Sequence, residues 1–398
     1  MKLVAKGALL LLAIALTANG TETSDRENLT AAAIKPFVSR HELAGAVTLL
    51  VSKDKVERFE TAGFADLASG RQMQPDTVFW MASSSKPFLA AAIMMLVDQG
   101  KLRLDDPVEH YLPNYNPRFE VLSPDGRHVI LRKPAHPPTI RNLLTHTGGT
   151  SLLATFEHWK IDSLPLSAKV DAFSLEPLDY EPDTKWSYSN EGFETAARII
   201  EVVSGTSFDD FMHRRLFNPL GMMDTGYLPT QAQEARLAKG YKPNTAGTDF
   251  EEVRIFLLQY PLANNPKRFA SSSGGGLFST GPDLARFCRM LLNHGVLDGR
   301  RYLSESAIQE MTRDQVRSDL LENGKLPGDT GWDNYGLGWG MIGRTFEHEG
   351  AYGTDIKIDP DRGIALIWLV QTPDPAGASR AGRHAFEGLT QNIELPRK

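Results

Sequence analysis

Residues 77–100 read TVFWMASSSKPFLAAAIMMLVDQG. The extended character of TVFWMA gives way at Lys86 to an apolar run of helical length, and Ser83 and Lys86 stand at the junction. Three residues apart at a helix start, a hydroxyl and an amine share one face, the serine lying among the unpaired N–H groups of the first turn. An amine beside a hydroxyl can take its proton, so the pair equips a serine nucleophile that needs no histidine base. A second Ser-x-x-Lys, from Ser52 to Lys55, lies on a strand and turn, where residues three apart point to opposite faces.

Outward from this junction, AGAVTLLVSK (44–53) and KVERFETAGF (55–64) read as two strands around a Lys53-Asp54 turn, preceded by a helix over 29–40 that includes Pro36. Strand signals return late in the chain: YGLGWGMI (335–342), the alternating YGTDIKID (352–359), a PDRG turn, and IALIWLVQT (364–372). The last is apolar on both faces and predicts a covered, central strand. SRAGRHAFEGLTQNI (379–393) closes the chain as a helix. Between the strand groups come helical patterns at 139–146, 191–205, 207–217 and 281–295, separated by polar connections at 112–138 and 240–270 that read as pocket-shaping loops. Strands at both ends with helices between them predict one α/β (α+β) domain from residues 24–100 plus 331–398, with a helical domain over 101–330 inserted into it.

Composition sets wide bounds. With 398 residues, 41% apolar and 23% charged, the chain is of ordinary globular make-up, and a net charge of −6 lacks the basic footprint of a nucleic-acid binder. MKLVAKGALLLLAIALTANG carries two lysines, a short apolar stretch and small residues at its end, so residues 1–18 read as a signal peptide. A periplasmic or secreted protein without stable membrane insertion is the expectation. Cys288 is the only cysteine, so no internal disulfide can form, and its helical context suggests a small buried side chain.

Two further patterns carry chemistry. Tyr188-Ser189-Asn190 leads into a helix; a phenol whose pKa a nearby cation lowers can relay a proton, and an Asn two residues on can donate an amide N–H to a substrate carbonyl. His348-Glu349-Gly350-Ala351 precedes the alternating strand, where Gly350 lets a substrate come close and the next N–H can meet a developing oxyanion. A rival, His146-Thr147-Gly148, follows the 139–146 helix without a strand after it, so His146 reads as a helix end. His348-Glu349 and His41-Glu42 open like zinc-protease pairs, but Tyr352 and Gly45 stand where the second histidine belongs. No metal or cofactor is expected. Trp159, Tyr180 and Trp186 read as helical-domain core, with an acyl pocket near Tyr188 as the alternative.

Taken together, SSSK (83–86), YSN (188–190) and HEG (348–350), with LLTHTGG (143–149), GGGLFSTGPDLARF (274–287) and YGLGWG (335–340), resemble the serine hydrolases that include class C β-lactamases, penicillin-binding DD-peptidases and family VIII carboxylesterases. The resemblance spans nearly the whole chain after the leader. It implies a β-lactamase/transpeptidase-like fold, with an antiparallel sheet flanked by helices, an inserted all-helical domain and the site in the cleft between them. It also implies Ser83 as nucleophile, Lys86 as its base, Tyr188 as proton relay and Asn190 as a substrate-orienting donor. His348 would line the cleft, and the N–H groups of Ser83 and Ala351, beside Gly350, would form the oxyanion hole.

Lactamases of this family usually carry Lys where His348 stands, and a mostly neutral His weakens the demand for an anionic substrate. The expectation is therefore a carboxylesterase acting on a small ester. D-amino-acid peptidase or amidase, weak β-lactamase, and a penicillin-binding sensor without turnover remain the alternatives. An alkaline optimum following Lys86 and Tyr188 is expected.

Overall fold

The structure, a computed structural model, describes residues 29–115, 119–122, 129–152, 162–255, 265, 267–270, 274–328, 330–373, 377–391 and 393. The signal peptide read over 1–18 and Trp159 lie outside them. Eight strands form one antiparallel sheet drawn from both ends of the chain. β1 (Gly45–Ser52), β2 (Val56–Asp66) and β3 (Arg71–Gln72) come first, and β4 (Asn334–Tyr335), β5 (Gly340–Ile342), β6 (Thr345–Glu349), β7 (Asp355–Asp359) and β8 (Ile364–Leu369) come last. Their order across the sheet is β4, β5, β6, β7, β8, β1, β2, β3. The two ends meet where β8 pairs with β1, with Val47 opposite Leu369 and Ser52 opposite Ile364.

β8 and β1 are buried on both faces because helices cover each side of the sheet. Alternation sorts their side chains. Ala46, Leu50, Ile364, Leu366 and Trp368 share a cluster with Ile34 of α1 (Leu29–Ser39) and Phe386 of α5 (Ala378–Gln391). Val47, Leu49, Val51, Ala365 and Ile367 join the main core with α2 (Lys86–Asp98) and α4 (Gly281–Leu292). Each fully buried Val, Leu or Ile in these layers contributes roughly 1.5–3 kcal/mol. α4 enters so close that a Cβ on Gly281 would sit 2.7 Å from Leu49 Cδ1. Among the described residues, no helix is long and apolar enough to cross a membrane.

The middle of the chain is mostly helical but not wholly so. Strand Phe278–Thr280 pairs with Val78–Trp80 in a separate two-stranded sheet, and α4 packs on β1 and β8 of the large sheet. The connections read as irregular contain short hairpins, Phe119–Leu122 with Val129–Arg132 and Gly240–Pro243 with Phe250–Val253. The 207–217 pattern is a short α-helix, Phe208–Met212, that widens into a π-turn over His213–Phe217.

Candidate active site

Ser83 lies in a 3-10 turn, Ala82–Ser85, immediately before α2. In that geometry side chains at i and i+3 eclipse, which stacks Lys86 over Ser83 more directly than an α-helix would. Ala82 holds a left-handed φ of 46°, a conformation a non-glycine residue keeps only when its surroundings enforce it. The enforcement is visible. Ser84 Oγ donates to the His348 carbonyl at 2.8 Å, Thr354 Oγ1 donates to the Met81 carbonyl at 3.1 Å, and Ser85 Oγ donates to the Ala82 carbonyl. The first ties the serine turn to the end of β6, the second ties it to the loop ahead of β7, and the third closes the turn on itself.

Lys86 is fully buried, and its ammonium donates to Ser83 Oγ at 3.2 Å, Asn190 Oδ1 at 2.8 Å and the Gly274 carbonyl at 2.8 Å. Burial pulls its pKa from 10.5 to about 7, against a smaller upward pull from Glu194. The amine is thus partly neutral near neutral pH. It also stands 4.6 Å from the Tyr188 ring centroid and 5.3 Å from that of Phe193.

Tyr188 and Asn190 come from the start of α3 (Asn190–Ser204), whose N-cap is Ser189, its hydroxyl accepting from Gly192 N–H at 3.0 Å. Tyr188 departs from the sequence expectation. Burial raises its phenol well above the usual value, and the Ser83 hydroxyl only partly counters that, so the phenol stays protonated rather than being tuned downward. Asn190 spends its amide oxygen on Lys86.

His348 sits at the end of β6 and is buried. Its Nδ1 faces the Glu349 carbonyl at 2.9 Å and its Nε2 faces Tyr335 Oη at 2.9 Å. A carbonyl can only accept, so this pattern assigns the ring proton to Nδ1, and Nε2 accepts from a phenol that burial keeps protonated. Burial, then the Lys86 charge, pushes the imidazole down to about 3. His348 is neutral, with both nitrogens engaged inside the protein.

The sequence matches the Beta-lactamase family over residues 30–389. The chain belongs to the beta-lactamase family. Penicillin-binding protein 4 of Amycolatopsis lactamdurans is 32% identical over 340 residues, spanning 83% of this chain and 81% of that protein. Esterase EstB of Burkholderia gladioli is 26% identical over 396 residues, spanning 89% of each. The solved structure of EstCE1, a hydrolase with promiscuous acyltransferase activity, is similar in fold, with a TM-score of 0.76 at 22% identity, covering 92% of this chain and 99% of its own.

In this beta-lactamase family member Ser83, Tyr188, His348, Gly350 and Ala351 border one pocket of about 420 Å³. Trp186 and Trp332 line it too, so Trp186 joins the pocket rather than a distant core, whereas Tyr180 is buried with its hydroxyl on the His146 carbonyl at 3.2 Å. Arg380, at the start of α5, is a lining residue the sequence reading did not single out, and its Nε is buried with no hydrogen-bond partner among the described residues. The trio Glu347, Asp355 and Glu387 has metal-like spacing. Its charge is met instead by Lys357, 3.1 Å from Glu347 and 3.2 Å from Glu387, and by Arg383, 3.3 Å from Asp355.

Gly350 is dictated by crowding. A Cβ there would lie 2.3 Å from the Met81 carbonyl oxygen and 2.2 Å from Thr354 Oγ1, both part of the lattice that fixes the serine turn. Gly350→Ala is therefore expected to lower the melting temperature by roughly 1–4 °C, the shift that a backbone rearrangement costing about 1–3 kcal/mol produces in a chain of this size. Thermal unfolding followed by circular dichroism checks this; an unchanged midpoint would contradict the packing argument.

Proposed function

We propose that this protein is an exported hydrolase that cleaves carboxylic esters through an acyl-enzyme on Ser83. The observation that carries the reading is the buried Lys86 amine, held near neutral pKa at 3.2 Å from Ser83 Oγ. Neutral Lys86 takes the serine proton as Oγ bonds to the ester carbonyl carbon. The resulting oxyanion sits against the N–H groups of Ser83 and Ala351, each such donor lowering the barrier by about 2.7–4 kcal/mol. Tyr188 gives its proton to the departing alkoxide and regains one from Lys86. Water then attacks the acyl-enzyme with the same groups in reverse, releasing the acid and restoring Ser83. The engaged, neutral His348 supports an uncharged ester as substrate, and esterase EstB is among the relatives. The leader-like residues 1–18 support export.

One observation favours a second reading. Arg380 puts a cation at the pocket, which suits substrates ending in a carboxylate, as peptides of a D-amino-acid peptidase do. Arg380→Ala should then raise KM for a D-alanyl amide bearing a free carboxylate about tenfold or more and leave a p-nitrophenyl ester within about twofold. Equal KM changes for both would remove the cation from substrate choice.

The test of function is direct. A fluorophosphonate should add one phosphonyl group, mapped to Ser83 by peptide mass spectrometry, and a short-chain p-nitrophenyl ester should be turned over continuously and faster than the D-alanyl amide or nitrocefin. Labelling elsewhere sinks the mechanism. Labelling without steady release identifies a sensor that does not turn over.

A further inference from the structure

His146 was expected to do no more than end a helix. It does end Ile140–Thr145, in the left-handed conformation at φ 62°. Glycines stand two and three residues on, at 148 and 149, yet the strained position itself holds a histidine. Its side chain is 1% exposed and packs against the Tyr188 ring that borders the pocket.

Three bonds from one segment converge on this residue. Ser189 N–H donates to His146 Nδ1 at 3.0 Å, Ser187 N–H donates to its carbonyl at 3.0 Å, and Tyr180 Oη donates to the same carbonyl at 3.2 Å. The imidazole also lies against the Tyr188 ring, with centroids 4.3 Å apart and planes 34° apart, and against Tyr335 at 4.7 Å. Burial, reinforced by the Lys86 charge, holds its pKa well below the ordinary value, so the ring is neutral. With Nδ1 accepting, the single ring proton is on Nε2, which is buried without a partner among the described residues. The ring therefore has one workable tautomer and one workable orientation.

Resting on the serine hydrolase reading, we propose that His146 is the positioning residue of the Tyr188-Ser189-Asn190 loop: its Nδ1 fixes the loop backbone and its ring sets the phenol beside Lys86. The acceptor and the ring are separable. Asparagine tolerates the left-handed conformation and places Oδ1 close to where Nδ1 stands, but has no ring. Phenylalanine keeps a ring and leaves the buried Ser189 N–H without an acceptor. Glutamine carries its amide one bond further, near the Nε2 place.

The experiment compares wild type with His146→Phe, His146→Asn and His146→Gln on an ethyl ester, whose leaving alkoxide needs the Tyr188 proton, with Ser83 labelling by fluorophosphonate and melting temperature measured on the same samples. The phenylalanine variant is expected to lose about 10²-fold in kcat, as displacement of a reacting group by about 1 Å does, with KM within about threefold. Asparagine should recover about tenfold of that loss, a rescue that a merely structural role would not give, and glutamine should not. A phenylalanine variant that turns over like wild type overturns the proposal, as does a rise in KM with kcat unchanged. If the phenylalanine variant does not fold, Asn and Gln decide: equal kcat values overturn it. Absence of Ser83 labelling in wild type fails the underlying function instead, which separates the two outcomes.

Discussion

Exchanging Lys86 for methionine is expected to cut ester turnover by about 10⁴-fold, the upper end for a positioned acid–base group. No neighbour can replace the proposed base. The Tyr188 phenol is held protonated by burial, and His348 has both nitrogens engaged. Ser83→Ala should cost at least as much, and the double variant no more than the worse single one, because the two groups act as a unit. Stability moves in a pH-dependent way. The unfolded amine titrates at its ordinary 10.5 and the folded one at about 7, so between those values the unfolded chain holds a proton that the folded chain lacks, and stability rises with pH. Below about pH 7 both states are charged and the folded state bears the whole penalty, on the order of 5 kcal/mol. Methionine removes that penalty. Acceptors left unpaired at Ser83, Asn190 and Gly274 each offset about 1–3 kcal/mol of the gain at every pH. The melting temperature of the variant relative to wild type is thus highest at pH 6 and falls toward pH 10. A difference that grows with pH would be irreconcilable with a buried, depressed amine.

The second large effect concerns Tyr188. Its replacement by phenylalanine should cost about 10²- to 10³-fold on an ethyl ester and far less on a p-nitrophenyl ester, because nitrophenolate leaves without needing a proton and ethoxide does not. The ratio of the two rates is the measurement, and a uniform loss on both would deny the phenol its role as proton donor to the leaving group. The pH profile follows from the same site. kcat/KM should climb through about pH 7 as Lys86 loses its proton, then run level, because the raised phenol does not ionise in the ordinary range. This narrows the alkaline optimum expected from the sequence to a single limb set by Lys86. That limb should stay in place in Tyr188→Phe; its displacement by a full pH unit would show that the wrong group had been assigned.

Much of this arrangement was legible in the chain. Ser83 and Lys86 are set by local geometry, so their spacing at a helix start foretold their contact, and the two-sided apolar run of 364–372 foretold the central strand observed at Ile364–Leu369. Helix readings at 29–40, 191–205 and 281–295 match α1, α3 and α4 to within a few residues, since each has a periodic apolar face and α3 and α4 also have a stop signal. The failures are of another kind. The hairpins within 112–138 and 240–270 use strands of four residues, too short for alternation to register. The strand ahead of α4, Phe278–Thr280, forms a separate two-stranded sheet with Val78–Trp80, a pairing set by tertiary structure. His146 reaches the Tyr188 ring from a helix end and Arg380 reaches the pocket from a helix start, both far away in sequence, and no local pattern marks such convergence. The upward shift of Tyr188 arises from burial, which a triplet of residues does not encode.

The seam between β1 and β8 sets a schedule for synthesis. Val47 emerges early from the ribosome, yet its hydrogen-bonded neighbour Leu369 is among the last residues made. Until then β1 has an uncovered edge and unmatched apolar faces, a state prone to self-association. A polypeptide halted before Ile364 would lack the centre of its sheet and the anchor for α5, and so is expected to accumulate as aggregate rather than as a smaller working enzyme. Ordering of such a molecule is a late, nearly all-at-once event, and slow by the standards of proteins whose neighbours in space are neighbours along the backbone.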